Sequence, residues 1–287
     1  MASAVVVDGR HYLVDFGLGC VRAAHEAGLR GKDLAAAFIT HLHSDHVGEL
    51  PAYLMWNWGK PVDGFTSSVR FLGPGRDTFH PNGAQLSGTR DMIEHTLRAF
   101  SYDLDIRVTD EGRPDMRGML DVEEIAIPGI AAGAGHEPFV VYKDERVTVS
   151  AVLVEHPPVY PAFAFRFDTE AGSITFSGDT AESQALVRLA SGTDILVHEA
   201  VNIEFFAARG FDEAFLNHQR KSHTSPEGAG RIAAASGAGR LILSHLAGVA
   251  SADEWRTRAE STFSGPVEVA TSGQRFDVVR EPARATL

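Results

Sequence analysis

Cysteine and long apolar runs are nearly or wholly missing from this sequence of 287 residues. Cys20 is its single cysteine, which excludes an internal disulfide and a metal cluster held by several thiolates. We expect Cys20 to be a buried packing residue. No segment approaches the roughly 18 uninterrupted apolar residues that a transmembrane helix requires, and no signal-peptide pattern stands at Met1–Ala4. These absences predict a cytoplasmic protein that does not bind membranes.

Basic residues are also scarce. The sequence has 26 Lys and Arg against 38 Asp and Glu, which gives a formal net charge of −12. Because an acidic surface repels a polyphosphate, this charge argues against nucleic acid as a partner. The hydrophobic fraction of 44% and the charged fraction of 22% are ordinary for a globular protein, which excludes the disordered and coiled-coil classes.

Apolar runs and turn signals predict an α/β fold. The Asp8-Gly9 turn separates two apolar runs, as in a β-hairpin, and Ala35–Ile39 has the pattern of a buried strand. Three β-like runs follow one another in the middle of the chain, and strand and helix patterns then alternate. β-rich halves with interleaved helices are typical of an αββα sandwich, in which helices cover two sheets. We predict one such domain over residues 1–287.

One short segment concentrates metal-binding side chains. The string THLHSDH at 40–46 places three histidines and an aspartate directly after a predicted buried strand. In an extended stretch His41 and His43 point the same way because side chains alternate. A turn after His43 can then bring Asp45 and His46 round to a neighbouring position. Imidazole and carboxylate groups bind zinc, manganese or iron, so the string predicts a site for more than one ion.

The segment ITHLHSDHVGELP resembles the signature loop of the metallo-β-lactamase superfamily, and most closely its ribonuclease Z-like branch. Four further segments extend the resemblance along nearly the whole chain: HYLVDFG with Asp15, VEHPP with His156, FSGDT with Asp179, and LILSHL with His245. Two more, LVHEA and SHTSPEGAGRIA, match that branch in particular. The resemblance implies the metallo-β-lactamase fold and a metal-dependent hydrolase.

The resemblance also implies a dinuclear metal site. By it, one metal is held by His41, His43 and His156. The other is held by Asp45, His46 and His245, and Asp179 bridges the two. Two divalent ions lower the pKa of a shared water toward about 7 and so supply a hydroxide nucleophile at neutral pH. Zinc is the expected metal because nitrogen and oxygen ligands suit it, and manganese and iron stay open.

Three residues are expected to take part in catalysis. Asp45 is expected to ligate one metal and to orient the bridging water. Glu199 and His223 resemble the Glu–His pair of the ribonuclease Z-like branch, in which a carboxylate positions a histidine that protonates the leaving group. The alternative for His223 is a structural role at the start of a helix, because the following Thr-Ser-Pro resembles an N-cap. Asp15 is expected to bond to the metal loop and not to a metal.

The chain departs from the ribonuclease Z-like pattern in where it carries its extra length. Members of that branch usually carry a long arm between the third histidine and the bridging aspartate. In this chain two strands and a turn nearly fill the interval from His156 to Asp179, so the arm is absent there. The extra length lies instead in residues 59–150, predicted to be an irregular insert, and in residues 202–220. The latter stretch is amphipathic and rich in phenylalanine, which indicates a lid or a dimer contact, with core packing as the alternative.

We predict a dinuclear metal-dependent hydrolase that forms a homodimer. Both inserts are aromatic and weakly charged, which favours a small, partly apolar substrate such as an ester, phosphodiester, sulfate ester or lactone. The aromatic group Tyr53, Trp56 and Trp58 fits a substrate pocket and a core equally well. One alternative function is a ribonuclease Z-like endonuclease that processes tRNA 3′ ends, which predicts salt-sensitive RNA binding. The other is a non-hydrolytic binding or redox member of the superfamily.

Overall fold

A computed structural model describes residues 1–128 and 137–278 of the chain. The chain divides into two compact units, Met1–Ala126 and Ile127–Leu287. Each unit contains one β-sheet and several helices. This is the mixed α/β class with two sheets that the sequence predicts, whereas the single domain over 1–287 stays a prediction.

The first unit is built on a five-stranded sheet in the order β1-β2-β3-β4-β5. Its strands are β1 (Ser3–Val7), β2 (Arg10–Val14), β3 (Leu34–Phe38), β4 (Val69–Gly73) and β5 (Leu120–Glu124). Its helices are α1 (Cys20–Glu26), α2 (Ser44–Val47), α3 (Leu50–Trp56), α4 (Thr89–Ala99) and α5 (Ser101–Thr109). The predicted Asp8-Gly9 hairpin joins β1 to β2, and both turn residues have positive φ, as a tight two-residue hairpin turn requires.

Strands β2, β3, β4 and β5 run parallel, and this fixes where the polar segments of the first unit meet. The carboxyl ends of parallel strands lie at one edge of a sheet, which is where α/β proteins place their functional groups. Asp15 directly follows β2, and its backbone N–H donates to the carbonyl of Phe38 at the end of β3. The histidine-rich string starts two residues after Phe38, at the same edge.

The second unit is built on a seven-stranded sheet in the order β12-β11-β10-β9-β8-β7-β6. Its strands are β6 (Phe139–Lys143), β7 (Thr148–Leu153), β8 (Phe163–Asp168), β9 (Ser173–Phe176), β10 (Ile195–Val201), β11 (Arg240–Ala247) and β12 (Val267–Val269). Its helices are α6 (Gln184–Leu189), α7 (Ile203–Ala208), α8 (Glu213–Ser222), α9 (Pro226–Ser236) and α10 (Ala252–Glu260). The sheet is antiparallel from β6 to β9 and parallel from β9 to β12.

Residues 59–150 are more regular than the sequence predicts. Their described part, which leaves out 129–136, contains β4, α4, α5, β5, β6 and the start of β7. The sequence has a strand pattern at Val69–Leu72 and an amphipathic helix pattern over Asp91–Asp103, which correspond to β4 and α4. Strands β5 and β6 escape prediction because they are short and partly exposed, so their apolar pattern is weak. The segment supplies two of the five strands of the first sheet, β4 and β5.

Burial distinguishes a core position from a pocket position for the aromatic residues Tyr53, Trp56 and Trp58. Tyr53 and Trp58 are fully buried in the core of the first unit, whereas Trp56 is 66% exposed. Two of the three aromatic residues are therefore packing residues. Cys20 lies in the same core, as predicted, and burial raises the pKa of its thiol to about 12. A protonated, buried thiol is chemically inert at neutral pH.

A helix that crosses a lipid bilayer must be both long and apolar. No helix within the described ranges 1–128 and 137–278 combines the two properties to the extent that a crossing requires.

His11 makes the stability of the protein depend on pH. It lies on β2, is 1% exposed, and its Nε2 has no hydrogen-bond partner among the described residues. Burial lowers its pKa to about 4. An unfolded histidine has a pKa of about 6.5, so between these values the unfolded chain binds more protons and stability falls as the pH falls. We expect a loss of about 3 kcal/mol from this residue between pH 7 and pH 4.

The variant His11→Gln removes one titrating group and should therefore reduce the slope of the free energy of unfolding against pH. Part of the slope should remain, because burial lowers the pKa of His198 to about 4 as well. The measurement is a series of urea unfolding curves between pH 7 and pH 4. The exposed histidine of α1 provides the control, His25→Gln, which should keep the wild-type slope. Equal slopes for His11→Gln and the wild type would show that His11 is not the source of the effect.

Candidate metal centre

The histidine-rich string of the first unit leaves β3 and turns directly into α2. His43 is the N-cap of α2 with an extended backbone, and Asp45 and His46 lie within the helix. The turn expected after His43 is therefore present. His41 and His46 are fully buried, whereas the side chain of Asp45 is 52% exposed. The loop thus presents two enclosed imidazoles and one carboxylate that solvent can reach.

The donor atoms of this loop converge. Nε2 of His41 lies 3.0 Å from Nδ1 of His43, and the rings of His41 and His46 are 4.1 Å apart. Nε2 of His46 lies 3.7 Å from Oδ2 of Asp45. Two pairs, His41 with His43 and Asp45 with His46, each offer ligand atoms within 4.8 Å of one another. Imidazole nitrogens and a carboxylate oxygen at this spacing suit a divalent metal ion.

Asp15 holds the loop in place. Its two carboxylate oxygens accept hydrogen bonds from the backbone N–H and the hydroxyl of Thr40, each at 2.8 Å. Nδ1 of His46 also lies 2.8 Å from Oδ2 of Asp15, and this contact orients the imidazole ring. The expectation that Asp15 supports the metal loop is thus confirmed. Sequence reasoning missed Thr40, although its place directly before His41 was a usable signal.

The backbone around Asp15 is constrained as well. Asp15 itself has a φ of 66°, a left-handed conformation that aspartate tolerates better than most residues. At Gly17 an added Cβ would lie 2.0 Å from the carbonyl oxygen of Asp45 and 1.9 Å from the backbone nitrogen of Met1. Only glycine allows this approach, so the HYLVDFG segment supports the loop through its backbone as well as through its carboxylate.

The second unit brings together another set of predicted ligands. His156 follows β7 and is 1% exposed, and its Nδ1 lies 2.8 Å from the carbonyl oxygen of Ser222. Asp179 follows β9 and is 3% exposed, and each of its oxygens lies 3.2 Å from Nε2 of His245. A buried carboxylate is costly unless it is paired, so Asp179 is suited to a cation or to protonated neighbours.

The placement of His245 differs from the sequence prediction. It was expected after the end of a strand, but it lies inside β11 at a β-bulge. His198 of β10 pairs with Leu243 and Ala200 with Leu246, so β11 carries one extra residue opposite Glu199. His245 accordingly has a φ of 47°. Bulges redirect side chains beside active sites, and this one places the imidazole against Asp179.

Glu199 and His223 form a buried pair beside Asp179. Oε1 of Glu199 lies 2.9 Å from Nδ1 of His223 and accepts a hydrogen bond from the backbone N–H of Thr180. Nδ1 of His223 is also 3.9 Å from Oδ2 of Asp179. The helix-start role considered for His223 belongs to Ser225, whose hydroxyl oxygen caps α9 by accepting from the N–H of Gly228. His223 is therefore available to the site.

Burial and charge act in opposite directions on this pair. Burial raises the pKa of Glu199 to about 7, although its bond to His223 opposes the rise. Burial lowers the pKa of His223, but the hydrogen bond and charge of Glu199 outweigh it and raise the pKa above the usual value. The pair therefore retains a proton near neutral pH, as a general acid must.

Other residues of the second unit complete the surroundings of the pair. His198 is fully buried, and its Nδ1 lies 2.8 Å from the carbonyl oxygen of Glu199, which indicates a structural role. Thr180 and Ser222, which sequence reasoning missed, bond to Glu199 and His156. Both are the immediate chain neighbours of motif residues, Asp179 and His223, and that adjacency was the available signal.

The comparisons with known proteins cover nearly all of the chain. Ribonuclease Z of Mycobacterium bovis (strain BCG / Pasteur 1173P2) is 27% identical over 270 residues, 93% of this chain and 88% of that protein. Ribonuclease Z of Mycobacterium avium (strain 104) is 29% identical over 280 residues, 96% of this chain and 91% of that protein. A family model described as Anti-Pycsar protein Apyc1 matches residues 3–58.

Solved structures agree on the fold. The metallo-β-lactamase fold protein YhfI from Bacillus subtilis has a TM-score of 0.63 and 18% identity, covering 94% of this chain and 89% of its own. Human tRNase Z, short form, has a TM-score of 0.63 and 18% identity, covering 97% and 92%. The predicted metallo-β-lactamase fold is confirmed. The chain resembles ribonuclease Z along nearly its whole length and has the metallo-β-lactamase fold.

The relatives named ribonuclease Z bear on the predicted function. The predicted metal-dependent hydrolase is confirmed. Its histidine and aspartate clusters are suited to divalent metal ions. The expected homodimer and the cytoplasmic location stay predictions.

One prediction about partners is wrong. We expected a small-molecule substrate and argued against nucleic acid, but the relatives that match along the chain are named ribonucleases. The argument used the net charge of −12, which sums over the whole surface and does not fix the local charge where a substrate binds. The missing arm between His156 and Asp179 was equally inconclusive, since some members of the branch lack it.

The bonds of Asp15 predict a role in metal affinity. The variant Asp15→Asn keeps the shape and tolerates the same φ, but it loses the charged acceptor for Thr40 and His46. We expect the affinity for Zn²⁺ to fall about 10- to 100-fold, the usual effect of removing a partner of a metal ligand. Competition with a chromogenic chelator measures this affinity.

A matched control for this variant is Asp63→Asn. Asp63 also has a positive φ, but it is exposed and pairs with Lys32. It should bind Zn²⁺ as the wild type does. Unchanged affinity in Asp15→Asn would mean that the loop holds its shape without the Asp15 carboxylate.

Proposed function

We propose that this hydrolase is an endoribonuclease that cleaves a phosphodiester near the 3′ end of tRNA precursors. The relatives named Ribonuclease Z, which match 93–96% of the chain, support the proposal, as does the fold that it shares with human tRNase Z. Both similarities run across the whole described site and are not confined to the histidine string.

The observation that carries the proposal is the Glu199–His223 pair. Nδ1 of His223 is held at 2.9 Å from Oε1 of Glu199, and both side chains adjoin Asp179. A ribose oxygen that leaves from phosphorus is a poor leaving group and needs a proton as the bond breaks. An imidazole oriented by a buried carboxylate supplies that proton from its other nitrogen, Nε2. Cleavage of an RNA phosphodiester requires such a proton donor at the departing ribose oxygen.

The proposed metal ligands follow the family pattern residue by residue. We assign His41, His43 and His156 to one ion, and Asp45, His46 and His245 to the other, with Asp179 shared. The donor chemistry fits, because these are imidazoles and carboxylates, several are buried, and contacts at Nδ1 of His46 and of His156 orient their rings. Zinc suits this set best, with manganese and iron as alternatives. When bound, two such ions activate water and polarise the phosphoryl group.

Side chains of the protein orient the attacking water and protonate the leaving oxygen. The exposed carboxylate of Asp45 orients the attacking water, and Glu199 keeps the ring of His223 in place. The water oxygen forms a bond to phosphorus and gives one proton to the Asp45 carboxylate, as the bond from phosphorus to the departing ribose oxygen breaks. His223 gives its proton to that departing oxygen, so charge is balanced on both sides of the step.

Cleavage of a transcribed tRNA precursor tests the proposal. The metal-loaded protein should cut the precursor once near its 3′ end, and gel mapping locates the cut. A chelator should abolish cleavage, and Zn²⁺ or Mn²⁺ should restore it. A precursor that stays intact with the fully metal-loaded protein would contradict the proposed function.

Substitution of His223 separates proton transfer from metal binding. We expect His223→Ala to keep its bound metal and to lose about 10²- to 10⁴-fold in kcat on the precursor, because the leaving oxygen is no longer protonated. Asp179→Ala should lose metal and activity together. The exposed histidine of α4 gives the control His95→Ala, which should behave as wild type. Full activity in His223→Ala would remove it from the mechanism.

A further inference from the structure

A cavity of about 360 Å³ opens beside His223 within the second unit. Its other walls include Glu182, Ile203, Arg220, Thr224 and Ser225. Ligand sites in proteins span about 300–1,000 Å³, so the cavity has the size of a site for one small group. Of the residues that line it, only His223 belongs to the proposed mechanism.

Among the described residues that line the cavity, Arg220 can offer a positive charge to a ligand. Arg220 pairs with Glu213 at 2.6 Å, but the side chain of Glu213 is 77% exposed. Such a surface pair is weak and yields readily to a stronger partner. The carboxylate of Glu182 is held by two bonds from Arg231, at 2.9 and 2.5 Å, so its repulsion of an anion is compensated. The cavity can therefore accept an anionic group at Arg220.

The position of His223 tells which part of the substrate lies there. The group that protonates the leaving oxygen must lie within hydrogen-bond distance of it, so the space next to His223 faces the departing side of the scissile bond. Resting on the proposed function, we propose that this cavity binds the nucleotide that keeps the departing oxygen, and that Arg220 binds the phosphate of that nucleotide. A guanidinium matches a phosphate with paired donors, which a lysine cannot reproduce.

The fold explains why Arg220 is placed there. Ile203 is the first residue of α7 and Arg220 lies in the last turn of α8, so the phenylalanine-rich segment 202–220 forms two walls of the cavity. The two helices are locked to each other by aromatic contacts, since the ring of Phe206 lies 5.3 Å from that of Phe211 and 5.1 Å from that of Phe215. This segment therefore serves as a specificity element beside the cleavage site.

The test compares Arg220→Gln with Lys221→Gln. Lys221 is the adjacent exposed cation and does not line the cavity. On the tRNA precursor we expect Arg220→Gln to raise KM about 10-fold or more, with kcat changed far less, because a charge-assisted bond is lost. Lys221→Gln should change KM by less than about 3-fold, because a surface charge that does not contact the substrate has only a weak electrostatic effect. Arg220→Lys should recover only part of the loss.

A chemically altered substrate identifies the phosphate. We use a precursor that carries a neutral methylphosphonate at the first phosphate on the departing side. The wild type should bind this precursor about 10-fold more weakly than the natural one. Arg220→Gln should bind both precursors equally, because it has already lost the contact to that phosphate. Equal effects of Arg220→Gln and Lys221→Gln, or an equal methylphosphonate effect in both proteins, would overturn the inference while leaving the ribonuclease activity in place. A wild-type protein that hydrolyses bis(p-nitrophenyl) phosphate but no RNA would instead overturn the proposed function, and this inference with it.

Discussion

The carboxylate of Asp15 is the contact on which the histidine loop depends. It binds Thr40 through two hydrogen bonds and His46 through a third, and it does so from the end of the neighbouring parallel strand. Without these bonds the buried imidazoles could turn away from a metal. Because Asp15 is itself buried, its charge is compensated only if these three donors stay in place, so the loop and the carboxylate stabilise each other.

The second unit uses a backbone irregularity for a similar purpose. An extra residue in β11 opposite Glu199 breaks the register of a parallel pair, and His245 takes a φ of 47°. A regular strand would send successive side chains to opposite faces of the sheet. The bulge instead lets His245 meet Asp179 while Glu199, one strand away, holds His223. Strain of this kind is tolerated where the surrounding sheet fixes the backbone, and it is common at functional sites.

Sequence reasoning predicted the chemistry better than the partner. The string at 40–46 and the strand-end motifs carry their chemistry in adjacent residues, so the fold class and the supporting role of Asp15 could be predicted. The bulge at His245 and the bond of His156 to the carbonyl of Ser222 depend on distant backbone, which leaves no local signal. Net charge misled because one arginine at a cavity, Arg220, can matter more to a phosphate than the sum over the surface.

Metal stoichiometry tests the central claim most directly. Native mass spectrometry of the chain, after incubation with Zn²⁺, Mn²⁺ or Fe²⁺ and removal of loosely bound ions, counts the ions that each molecule retains. The two ligand sets predict two divalent ions per chain, bound with release of protons as the imidazoles coordinate. A folded chain that retains none of the three metals would contradict the account at its base, whatever activity it shows.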